Sequence, residues 1–229
     1  MKKIIFIIFS IFVALVETKY AFADHGNDSN TPSVYKVTMS KLELCTSSAC
    51  TDSTILTEAT KTFNIASANA GTSVGSWIDN FALEIGKTYT HIRVTISSTF
   101  TISGYTANAG ISSSYCVTES SPNTASAANQ GPIVDGSNTT TSAEMSWVAP
   151  NDLDADNGNP YSTVNFSSTY NITRVNNADT MLWVGALANP YTPDINSTPT
   201  IKVSFDVDHQ LKSSQQGANT CYMWVLPPT

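Results

Sequence analysis

Apolar and polar residues alternate most regularly in two places. From Thr88 to Ser97, Thr90, Ile92, Val94 and Ile96 alternate with Tyr89, His91, Arg93 and Thr95, the period of a strand with one wet face. Ile201, Val203, Phe205 and Val207 likewise alternate with Lys202, Ser204, Asp206 and Asp208, which predicts a second strand. Phe100 and Ile102 continue the first alternation, and Gly104 then permits a bend. Between Val34 and Leu44, Tyr35, Val37 and Met39 share one parity, whereas Leu42 and Leu44 take the other. An extra residue at Ser40 or Lys41, a β-bulge, would turn both sets toward one core. Lys61 to Ile65 reads as a short strand with Phe63 and Ile65 inward, and a brief helical turn is expected around Trp77.

Met181 to Leu187 and Cys221 to Leu226 are apolar on both parities. Such strands are expected to be covered on both faces, by a loop of the same chain or by another subunit. Pro227-Pro228 stops the last of them, because proline cannot donate to a ladder. From Thr106 to Ser142 the chain is rich in Ser, Ala, Asn and Thr around one anchor, Tyr115-Cys116-Val117, and is read as a loop-rich insertion.

The first residues follow a different pattern. Lys2 and Lys3 precede a thirteen-residue stretch, Ile4 to Val16, interrupted only by Ser10, and Ala21-Phe22-Ala23 follows. This order is that of a secretory signal peptide, and the apolar run is too short for a helix that crosses a bilayer. The expected domain plan is a leader at 1–23, a flexible lead-in at 24–33 and one β-sandwich domain at 34–229. No second long apolar run follows, so no membrane span is expected after cleavage. Export to the periplasm, the cell surface or the medium is expected.

Composition sharpens the reading. The mature part holds eight cations against seventeen carboxylates, a net charge of −9. So few cations cannot neutralise a run of phosphates, which argues against nucleic acid as a partner. Ser and Thr make up 57 of the 206 mature residues, and Thr suits the exposed face of a strand. The predicted class is all-β, an antiparallel β-sandwich with long Ser/Thr/Asn-rich loops.

Four cysteines, Cys45, Cys50, Cys116 and Cys221, all fall in the exported part. An even count in an oxidising compartment favours disulfides over a metal site. The polar spacer Thr46-Ser47-Ser48-Ala49 favours Cys45–Cys50 among the three possible pairings, with Cys116–Cys221 completing the set.

Phe63-Asn64-Ile65-Ala66 leads through a Gly-containing loop to Leu83-Glu84-Ile85-Gly86-Lys87-Thr88-Tyr89-Thr90-His91-Ile92-Arg93. This block, within residues 63–96, resembles an uncharacterised group of secreted bacterial β-sandwich domains that carry a Gly, a Tyr and an Ile-Arg ladder here. The resemblance implies an Ig-like or transthyretin-like sandwich and no particular activity.

Candidate chemistry is sparse. Asp152, Asp154 and Asp156, in Asn151-Asp152-Leu153-Asp154-Ala155-Asp156-Asn157-Gly158-Asn159, stand at alternate places of a Gly-containing loop. That pattern is a candidate calcium site, although Gly158 falls one place late and Thr163 stands where an EF-hand has Glu. A solvated Asx-rich turn gives the same composition. No other cofactor is expected. His25, His91 and His209 are the mature histidines, and no nucleophile elbow, zinc motif or phosphate loop occurs, so no enzyme is expected. Trp77, Trp147, Trp183 and Trp224 with nine tyrosines offer either core or a stacking surface for sugars. The expected role is that of a non-enzymatic surface or secreted subunit, structural or adhesive, whose partners are itself or other surface proteins. The alternative is an extracellular module that binds carbohydrate or calcium.

Overall fold

The computed structural model describes residues 28–67, 77, 81–107, 110–123, 131–149, 166–195, 201, 203 and 205–228. Its strands are β1 (Asp28–Asn30), β2 (Val34–Cys45), β3 (Ser53–Thr57), β4 (Lys61–Asn64), β5 (Tyr89–Ser97), β6 (Thr99–Ser103) and β7 (Tyr105–Ala107), followed by β8 (Tyr115–Val117), β9 (Ile133–Ser137), β10 (Met145–Val148), β11 (Ile172–Thr173), β12 (Thr180–Tyr191), β13 (Leu211–Gln215) and β14 (Thr220–Val225). One short helix, α1 (Phe166–Tyr170), and a 3-10 turn at Ile65–Ser67 are the helical pieces among the described residues. Every ladder is antiparallel, so the all-β class read from the pattern is the class observed.

The larger sheet is organised around β2. Its first half pairs with β4 and β6 and its second half with β3 and β5. The register slips between Met39 and Lys41 against β5, which places the expected bulge at Ser40. With Ser40 set aside, Tyr35, Val37, Met39, Leu42 and Leu44 are all buried, as a one-residue insertion in a period-2 pattern requires.

β5 and β6 run as one line along β2, jointed at Ser98. Its N–H donates to the carbonyl of Asp179 at 2.8 Å, and its carbonyl accepts the N–H of Ala149 at 2.8 Å. The joint thereby hands the line from β12, which pairs with β5, to β10, which pairs with β6. Ser98 is buried, so both of its backbone groups need these partners.

Gly104 carries the chain from β6 into β7 of the smaller sheet, whose order is β1-β13-β14-β9-β8-β7. This sheet curls until β7 comes beside β1 and β13. The buried hydroxyls of Thr106 and Ser213 then meet at 2.6 Å. The Cys116–Cys221 disulfide ties β8 to β14, and the second disulfide joins Cys45 to Cys50. One core joins the two sheets, with Tyr35, Phe100, Ile102 and Trp147 from the larger and Leu211, Met223 and Val225 from the smaller.

Several expectations are corrected. The described residues of 201–207 form no strand; Val207 is nonetheless buried, and Ile201 and Phe205 pack against the core. Val203 between them is exposed, so only part of the expected dry face is kept. The stretch from 106 to 142, read as loop, supplies β8, β9 and part of β7, because small side chains suit the crowded curl. At Gly136, for instance, a Cβ would meet Ile111 Cδ1 at 2.5 Å. The lead-in expected to be flexible contains β1. Tyr89, assigned to the wet face with His91 and Arg93, is fully buried. The Lys87 ammonium lies 5.8 Å above its ring, and Thr54 Oγ1 is 2.7 Å from its hydroxyl. Of the two strands expected to be covered on both faces, β14 buries Met223, Trp224 and Val225 in succession, whereas β12 leaves Leu182 exposed.

Candidate functional site

The most ordered polar constellation lies on the outer face of the larger sheet, where β2 and β5 set Glu43 opposite Arg93. The Glu43 side chain is 4% exposed. Arg93 Nε donates to Oε2 at 2.7 Å and its Nη2 to Oε1 at 2.9 Å, the two-pronged geometry that suits a carboxylate. Ser53 Oγ donates to Oε1 at 3.0 Å, and Lys41 Nζ approaches that oxygen at 3.3 Å. The Arg93 bond, then those from Ser53 and Lys41, hold the Glu43 carboxyl down at about 2 against the opposing effect of burial. Arg93 Nη1 also donates to the carbonyl of Cys50 at 3.3 Å. The guanidinium therefore clamps the small disulfide loop onto the sheet. A permanently ionised, fully bonded carboxylate cannot shuttle protons, so the constellation is structural. Nothing in the sequence marks Glu43, because Lys36, Thr38, Ser40 and Lys41 share its strand and the alternation Leu42-Glu43-Leu44 is that of an ordinary wet-face residue.

A second cluster gathers Ser29, Thr31, Asp208 and His209 at the end of the smaller sheet. Ser29 Oγ lies 3.4 Å from His209 Nδ1, and His209 Nε2 lies 3.8 Å from Asp208 Oδ2. Thr31 donates to Asp208 Oδ1 at 2.5 Å, and this bond is the first cause of the lowered Asp208 pKa. The composition is that of a hydrolytic triad, but the setting is not. Asp208 and His209 are adjacent in the chain and about two-thirds exposed. The carboxylate serves Thr31 first, and the imidazole lies farther off. The cluster is a clasp between β1 and the turn at 207–210.

His91 sits on β5 with its Nδ1 2.8 Å from Thr90 Oγ1 and joins no acid or serine among the described residues. Asp206 Oδ1 accepts the N–H of Asp208 at 2.9 Å, an Asx turn. The candidate calcium loop, with Asp152, Asp154 and Asp156, and His25 lie outside the described residues. Among the described residues no group of three or more His, Cys, Asp or Glu side chains is placed to hold a metal ion. Trp147 and Trp224 are buried, and Trp77 and Trp183 pack against the core.

Between the sheets a cavity of about 50 Å³ is walled by Tyr35, Met39, Phe100, Trp147, Met181 and Pro228, among others. Ligand pockets usually reach 300–1,000 Å³, so this space is a packing gap rather than a receptor. The Tyr35 hydroxyl beside it donates to the carbonyl of Leu226 at 3.1 Å. Burial, and then the nearby Tyr170, push its pKa far above the ordinary value.

These features define a disulfide-braced, all-antiparallel β protein whose ordered polar groups serve its architecture. No protein-family model, no curated protein and no solved structure matches the chain. Among the described residues, no helix is long and apolar enough to cross a membrane.

Proposed function

We propose that this chain is an exported, non-enzymatic subunit of β-sandwich type that serves a structural or adhesive role outside the cytoplasm. The observation that carries the reading is the pair of buried disulfides. Such bonds persist in oxidising compartments, and the basic-apolar-small order of residues 1–23 supplies a route to one. Two sheets around a shared core support the sandwich assignment within the all-β class; the Ig-like or transthyretin-like variant remains the form that the 63–96 block suggests. The described ionisable groups that are best ordered act as clamps and clasps, which favours a scaffold over a catalyst. The outer face of the larger sheet adds short hydroxyl and charged side chains, with Thr38 and Thr62 hydroxyls 2.7 Å apart and Lys36 paired to Glu144. Such a face suits wet contact with other surfaces.

Electron microscopy and sedimentation of the mature protein test the reading. Assemblies or association with cell surfaces are expected; a strictly monomeric species that associates with no surface overturns it. N-terminal sequencing of exported material is expected to begin at Asp24, and a retained leader would remove the export step.

A further inference from the structure

We draw no further inference here: the strongest candidate, the apolar patch on the adjoining loops at 84–88 and 192–195, where Ile85 and Ile195 are 68% and 84% exposed and the Gly86 N–H donates to the Pro193 carbonyl at 3.2 Å, carries nothing because nothing in the structure shows what covers it.

Discussion

At the scale of single residues, Glu43 carries the sharpest expectation. Its carboxyl is held at about 2, against an ordinary 4.5. A depressed folded-state pKa contributes stability that is complete above the unfolded value and is lost as pH falls toward the folded one. The window is therefore between about pH 4.5 and pH 2, and the depression corresponds to about 3 kcal/mol. Glu43→Gln should flatten that acid limb in urea unfolding curves. At pH 7 it should also cost about 3–5 kcal/mol, because Arg93 loses its counter-charge in a largely covered site. An unchanged acid limb in the variant would show that the pair does not set it. Two glycines make a second, internally controlled case. Gly104 has φ +156°, and an added Cβ would meet Leu211 Cδ2 at 2.7 Å and Pro32 Cα at 3.4 Å. Gly86 has φ +80° with nothing within 4 Å. Gly86→Ala should cost about 1 kcal/mol from backbone conformation alone, whereas Gly104→Ala should cost about 2–3 kcal/mol as crowding is added. Thermal melts that rank them the other way would refute the crowding argument.

At the scale of elements, the two disulfides should differ in weight. Cys116–Cys221 closes a separation of 105 residues and Cys45–Cys50 one of 5. Loop-closure entropy then predicts a loss of about 5 kcal/mol on removing the first and about 2 kcal/mol on removing the second. Paired Cys→Ala variants in urea would read the difference. Both bonds were legible in the polar spacer after Cys45 and in the even count. The Ser40 bulge was legible from the switch in parity between Met39 and Leu42, and the bend from Gly104. What stayed illegible depends on distant pairing. Nothing local distinguishes Ile201 to Val207, where the described residues form no strand and Val203 is exposed, from β5, whose alternation is a true strand. Tyr89 is buried because Lys87 and Thr54 close over it, a fact of tertiary approach. Ser98 as a joint, and Arg93 as a clamp on the Cys50 carbonyl, likewise require knowing which strands lie side by side.

At the scale of the whole molecule, the chain divides its work unevenly. Residues 34–103 supply β2 to β6, so the heart of the larger sheet is built from nearly continuous sequence with β2 at its centre. The smaller sheet draws on both ends, with β1 from the start and β13 and β14 from the finish. Local pairing closes small loops and forms early, whereas pairing between distant segments waits on a larger entropic cost. Refolding followed by hydrogen exchange should therefore protect the β2–β3 and β13–β14 hairpins before the longer-range β2–β5 and β14–β9 ladders. Simultaneous protection of the two groups would argue for a single cooperative unit instead.

The position of Cys221 sets an order of events during biosynthesis. Chains are made from their first residue to their last, yet Cys116 must wait 105 residues for its mate, and β14, which lies between β13 and β9, is made long after β9. Until then the nascent molecule presents a half-built second layer with the Cys116 thiol unpaired and strand edges open, the condition most prone to mispairing with neighbours.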